Sequence, residues 1–214
     1  GLTETSSIIT LNPIEHFKIE SVGQDFSPYE EMKIIDIEKY STPGERPIGE
    51  IVVKGPMVMQ GYYNMPEETR AMFTEDGFFK TGDLGWMDSE HYFMLCGRAK
   101  NLIVTSGGKN VYPEEIEDAF QMCENIQQIV IQGYETGEGE EIEALIYPSD
   151  KAFENIGSNR GTDGTDEQIM CLIKKDVDSV NKLQQPYARI SKITILKEPM
   201  AQTTTLKVKR NYKK

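Results

Sequence analysis

Thr81-Gly82-Asp83-Leu84-Gly85 sets a single carboxylate among glycines. A carboxylate held in a tight turn accepts two hydrogen bonds from vicinal hydroxyls, the pair a ribose offers. Gly97-Arg98-Ala99-Lys100-Asn101 follows, and its planar guanidinium and its ammonium suit phosphate or carboxylate oxygens. Ser106-Gly107-Gly108-Lys109 then supplies two residues without Cβ, over which a ligand can approach the backbone. Each piece alone has an ordinary structural use: Asp83 as a turn cap, Arg98 as half of a surface ion pair, Gly107-Gly108 as a simple turn. Their order and density point to handling of a nucleotide.

The elements that must position these residues fall into two patterns. From about Glu31 to Gly97 the chain alternates short β-rich runs with turn residues, predicting strands over 32–37, 50–54 and 92–95. Pro66 through Phe73 supplies one short helix, with proline in its first turn and acids near the positive end of its dipole. After Gly97 helix and strand alternate. Ile116, Ala119, Phe120 and Cys123 recur at helical spacing, predicting an amphipathic helix over 113–123. Strands over 126–131 and 142–147 are joined by a polar turn over 135–140, which predicts a hairpin. Thr165, with Gln168 three residues on, reads as the cap of a second helix whose apolar face runs from Ile169 to Leu183. Pro186 ends it, and 190–196 reads as a further strand. The expected class is α+β: a small, mostly antiparallel β-barrel or sheet subdomain over 1–97, then an α+β domain over 98–214.

Composition narrows the chemistry. Acids outnumber bases by 35 to 23, a net charge of −12 that opposes general attraction to nucleic acid or anionic lipid, so an anionic ligand needs a local site. Cys96, Cys123 and Cys171 are widely spaced and form no CxxC pattern, so neither a disulfide framework nor a zinc site is indicated and reduced cytoplasmic thiols are expected. No apolar run approaches the roughly 20 residues that span a bilayer. With His16 and His91 the only histidines, and no nucleophile motif beside them, a hydrolase triad has no support.

Taken together with Tyr112-Pro113-Glu114-Glu115-Ile116-Glu117, these motifs resemble the adenylate-forming superfamily of acyl-CoA synthetases, firefly luciferases and peptide-synthetase adenylation domains, over essentially the whole chain. The resemblance implies that Asp83 binds the ribose of ATP or of an acyl-adenylate and that Arg98 contacts the nucleotide. It makes Lys100 the hinge of a mobile C-terminal domain, and Ser106, Gly107, Gly108 and Lys109 a loop that lines the pantetheine channel of CoA. Thr3 and Glu4 match a motif whose Thr touches phosphate and whose Glu holds Mg²⁺. Pro199 through Arg210 resembles the terminal motif that presents a catalytic lysine, matched by Lys207. Leu206 stands where relatives carry glycine, and Lys209 is the alternative ammonium. His91 occupies a turn position where relatives often carry glycine.

Gly61-Tyr62-Tyr63-Asn64 and Glu67-Glu68-Thr69 favour the medium- or long-chain fatty-acyl-CoA ligase branch. The implied cofactors are ATP, Mg²⁺ and CoA, and the implied partner is a fatty acid. The chain begins at the Thr-Glu motif without a Ser/Thr/Gly-rich phosphate loop. The phosphate loop and acyl pocket are therefore expected in an N-terminal region of the same protein, upstream of Gly1. The 214 residues alone are expected to lack complete ligase activity. Two other readings stay open: an adenylation domain that loads a carrier protein, and a non-catalytic interaction module of ligase ancestry.

Overall fold

The computed structural model describes residues 1–6, 8–137, 139–204 and 208–210. The chain divides into two compact units, Gly1–Lys100 and Asn101–Lys214.

In the first unit the order is β1 (Glu31–Ile35), α1 (Ile37–Tyr40), β2 (Gly49–Lys54), α2 (Pro66–Ala71), β3 (Phe79–Met87) and β4 (Phe93–Arg98). The four strands form an antiparallel sheet in the order β1-β2-β3-β4, an open sheet rather than a barrel among the described residues. Ile51, Val52 and Val53 are all buried because β2 is an inner strand covered on both faces, which explains its unbroken apolar run. Val53 and Phe79 pack with Ile9, Met32, Met57 and Phe73. Phe73 meets Phe79 edge-on at 5.6 Å between centroids, a geometry that adds about 1 kcal/mol beyond burial. The strand predicted over 32–37 stops at Ile35, because Asp36 turns left-handed (φ 54°) and opens α1. His91, also left-handed at φ 65°, sits in the turn joining β3 to β4.

The second unit contains β5 (Ile103–Val104), β6 (Asn110–Val111), α3 (Pro113–Asp118), β7 (Ile126–Thr136), β8 (Gly139–Pro148), α4 (Asp150–Asn155), α5 (Thr165–Asn181) and β9 (Lys192–Ile195). β7 and β8 are the expected antiparallel hairpin, and β9 adds parallel to β8. Both hairpin strands run further than predicted, to Thr136 opposite Gly139. The polar residues at this end of the hairpin are paired across the ladder: Gln132 donates to Glu143 at 3.0 Å and Tyr134 to Glu141 at 2.9 Å.

Ile169, Ile173 and Val177, four residues apart on α5, bury against Ile131, Ile142, Ala144 and Ile146 of the sheet and Ile116 and Phe120. Each such aliphatic side chain contributes about 2 kcal/mol by leaving water. Thr165 is not the cap of α5. Gly164, left-handed at φ 79°, holds that position, while the buried Thr165 hydroxyl lies 2.9 Å from that of Ser158. The first helix of this unit ends at Asp118, after which i to i+3 bonds carry the chain through Phe120 to Cys123 and still turn Phe120 inward. No helix among the described residues is long and apolar enough to cross a membrane.

Candidate functional site

Asp83 and Arg98 are direct Cα partners across β3 and β4. Asp83 therefore lies on a strand and not in the tight turn its glycine neighbours suggest. The glycine's role is a kink inside the strand: Gly82 has φ 72°, a left-handed conformation that side chains disfavour. Three bonds fix that kink. The Thr81 hydroxyl donates to the Ile51 carbonyl at 2.7 Å and accepts the Asp83 N–H at 3.0 Å, while the buried Glu50 carboxylate accepts the Gly82 N–H at 3.1 Å.

Arg98 Nε then meets Asp83 Oδ1 at 2.6 Å, and its Nη1 donates to the Thr81 carbonyl at 3.2 Å. The Arg98 side chain keeps 42% of its surface in solvent and Asp83 keeps 19%. An ion pair this exposed contributes at most about 1 kcal/mol to stability. Its chemical consequence is larger: the guanidinium orients a carboxylate at the surface beside a strand segment, Gly82, that carries no side chain. That arrangement can accept hydroxyl donors and present cationic charge together. Glu50 is not among the sequence-predicted residues; the one signal for it is a carboxylate directly preceding the apolar run Ile51-Val52-Val53.

Thr3 and Glu4 occupy a 3-10 turn, Thr3–Thr5, closed by the buried Thr5 hydroxyl, which bonds both the N–H and the carbonyl of Leu2 at 3.0 Å. Glu4 accepts the Tyr62 phenol on Oε1 at 3.0 Å, and its carbonyl accepts the Met59 N–H at 2.7 Å. Burial, then the neighbouring Glu4 carboxylate, push the Tyr62 hydroxyl above its ordinary pKa, so it stays a donor. Among the described residues no group of three or more His, Cys, Asp or Glu side chains could hold a metal. A lone carboxylate suits Mg²⁺, which takes its remaining ligands from phosphate and water.

Lys100 is exposed in the 3-10 turn Ala99–Asn101, and is the last residue of the first unit. In the second unit Ser106–Lys109 joins β5 to β6. Thr105 closes this loop, its N–H and hydroxyl both bonding the Lys109 carbonyl at 3.0 and 3.1 Å. Gly107 and Gly108 have nothing within 4 Å of where a side chain would begin. Ser106 lies so close to Gly139 that a Cβ there would fall 2.5 Å from its own.

Lys207 lies outside the described residues. On either side of it, Gln202 bridges Val208 and the Lys209 N–H donates to the Ala201 carbonyl at 2.8 Å. Arg210 falls inside the terminal motif, which assigns it no role of its own. Its Nη2 meets Glu117 Oε2 at 2.5 Å and Glu114 Oε1 at 3.4 Å, and its Nη1 donates to the Ile131 carbonyl at 2.9 Å. Glu117 Oε1 accepts the Ile131 N–H at 2.6 Å. Burial pushes Glu117 up to about 7, against the opposing pull of Arg210 and the Ile131 N–H.

The structure thus brings Asp83 together with Arg98, ties Glu4 to Tyr62 elsewhere in the first unit, and sets the Ser106–Lys109 loop and the C-terminal segment in the second. The AMP-binding enzyme family matches residues 1–63, and the AMP-binding enzyme C-terminal domain matches residues 100–213. A probable chloroplastic acyl-activating enzyme of Arabidopsis thaliana is 32% identical over 99% of the chain and 31% of its own length. A long-chain-fatty-acid–CoA ligase of Mycobacterium bovis is 33% identical over 98% of the chain and 34% of its own. The o-succinylbenzoate CoA synthetase of Bacillus subtilis, solved with ATP and magnesium, superposes with a TM-score of 0.73 at 27% identity, over 99% of this chain and 40% of that one. The chain spans about a third of the length of the curated relatives it matches. With both parts matched in order, the chain belongs to the adenylate-forming, AMP-binding enzyme superfamily.

Proposed function

We propose that the chain is the C-terminal portion of an ATP-dependent acid–CoA ligase whose acid is a medium- or long-chain fatty acid, working in the cytoplasm. The observation that carries the nucleotide assignment is the Asp83–Arg98 cross-strand pair beside Gly82. The fatty-acid assignment is favoured by the ligase relative from Mycobacterium bovis, whereas the Bacillus subtilis relative acts on a different acid.

In the first half-reaction a carboxylate oxygen attacks the α-phosphorus of ATP, the bond to pyrophosphate breaks, and acyl-AMP forms. Asp83 accepts the ribose hydroxyls and Arg98 lends cationic charge to nucleotide oxygens. Thr3 donates to phosphate, and Lys207 offsets charge that gathers between carboxylate and α-phosphate. Glu4 would hold Mg²⁺, whose charge screens the ATP phosphates when bound. In the second half-reaction a CoA thiolate attacks the acyl carbonyl, the carbon–oxygen bond breaks, and AMP leaves. The Ser106–Lys109 loop, with its open Gly107 and Gly108, receives the pantetheine arm, and Lys100 is the pivot between the two states.

The test is a panel of carboxylic acids offered to the complete protein with and without CoA. Acyl-AMP formation with fatty acids, and thioester release only when CoA is present, is the expected result. Activity confined to short or aromatic acids would overturn the fatty-acid assignment, and acyl transfer only to a carrier protein would replace CoA as acceptor. ATP–pyrophosphate exchange by the 214-residue chain alone would contradict the expectation that it is incomplete.

A further inference from the structure

Strands β2 and β3 lose register where the Asp83–Arg98 pair sits. Glu50 is opposite Leu84 and Val52 is opposite Lys80, so the three residues Thr81, Gly82 and Asp83 stand against the single residue Ile51. A bulge of this kind interrupts the ladder and re-aims the side chain it carries. It also leaves backbone groups that face β2 without strand partners, and a buried N–H left unmet is costly. Side chains meet them instead. The Glu50 carboxylate takes the Gly82 N–H at 3.1 Å, and the Thr81 hydroxyl takes the Asp83 N–H while donating to the Ile51 carbonyl. Both side chains belong to buried residues, Glu50 at 8% exposure and Thr81 at 4%. A carboxylate taken out of water costs free energy unless it is hydrogen-bonded, so its place in the sheet needs a use that an apolar residue cannot supply. That use is the Gly82 N–H: Glu50 holds Gly82 at φ 72°, the kink that directs Asp83 to Arg98.

Resting on the proposed nucleotide reading, we propose that Glu50 is a positioning residue for ribose recognition. It acts through the Gly82 N–H and Asp83, and touches no substrate itself. Hydrogen bonds weaken steeply as they lose alignment, so a kink relaxed by loss of this brace turns Asp83 away from the two hydroxyls it accepts.

The experiment uses the complete protein and measures binding of ATP and of 2′,3′-dideoxy-ATP by calorimetry. Glu50→Met keeps the side-chain volume and removes the acceptor. It is expected to weaken ATP by about 10-fold, the loss of one charge-assisted hydrogen bond, with dideoxy-ATP within about threefold of wild type. Glu50→Gln retains a carbonyl oxygen for the Gly82 N–H and is expected to bind both nucleotides within about threefold of wild type. Glu50→Asp keeps the charge but draws the oxygen back by one methylene, so it is expected to share the selective loss, and it carries the test if Glu50→Met does not fold. Equal weakening of both nucleotides would mark a general structural role and overturn the proposal. ATP binding within about threefold of wild type in both Glu50→Met and Glu50→Asp, or a loss in Glu50→Gln as large as in Glu50→Met, would overturn it too. Asp83→Ala separates the proposal from the reading it rests on. If that variant keeps the preference for ATP over the dideoxy nucleotide, the ribose assignment falls and the role of Glu50 with it; preference lost there but kept in Glu50→Met removes only the positioning role.

Discussion

Glu117→Gln should change how the stability of the second unit depends on pH. Glu117 is half-buried, with 18% of its side chain exposed, and its pKa rises from 4.5 to about 7 on folding, mainly because desolvation disfavours its charge. An acid whose folded pKa is raised contributes stability that is fully present below its unfolded value and is lost as pH rises through the folded one. The window is therefore about pH 4.5 to 7, and a gap of about 2.5 units at 1.36 kcal/mol each corresponds to about 3 kcal/mol lost across it. Arg210, Glu114 and Asp118 are the charged groups that act on this carboxylate. The amide introduced by Glu117→Gln cannot titrate, so the variant-minus-wild-type difference in unfolding free energy should climb by about 3 kcal/mol across the window. Urea melts at half-unit pH steps would read it, followed by the methyl signals of Ile131 and Ile142, because the sole tryptophan, Trp86, reports on the other unit. At a slope typical of a domain this size the relative shift in midpoint is about 2 M. Stability curves for the two proteins that run parallel from pH 4.5 to 7 would refute the reasoning.

Other perturbations address different parts of the molecule. Asp83→Ala in the complete protein should weaken ATP binding by about 100-fold, the loss of charge-assisted hydrogen bonds worth about 3 kcal/mol, yet hardly change binding of 2′,3′-dideoxy-ATP. Calorimetry with both nucleotides checks this, and equal weakening of both would remove the ribose assignment. Ile173→Ala deletes a fully buried side chain of α5 and should cost about 2–5 kcal/mol, read as a lowered denaturation midpoint in the second unit only. Gly139→Val should displace Ser106, since a Cβ cannot sit 2.5 Å from its own. Thioester formation from acyl-AMP should then slow while acyl-AMP formation persists; a thioester rate equal to that of wild type would dissociate the loop from CoA.

The parts legible in the sequence are those whose cause is local. The 169–173–177 spacing announces the buried face of α5, and residue type and order single out Asp83 and Arg98, which the structure pairs across β3 and β4. α4 is not legible because six residues give too little periodicity; its start depends on the Ser149 hydroxyl accepting the Ala152 N–H. The strand geometry of Asp83 is hidden by Gly82, whose left-handed conformation serves a kink within β3 instead of ending it. Glu117 reads as one of several acids complementing a helix dipole. Its partner Arg210 is 93 residues away, a distance at which sequence spacing carries no signal.

Acid-dependent ATP–pyrophosphate exchange by the complete protein, compared between wild type and Asp83→Ala, tests the adenylate-forming assignment most directly. Exchange that requires a carboxylic acid and falls by about 100-fold in the variant is the expected outcome. Exchange without any acid, or exchange undiminished in Asp83→Ala, would contradict it.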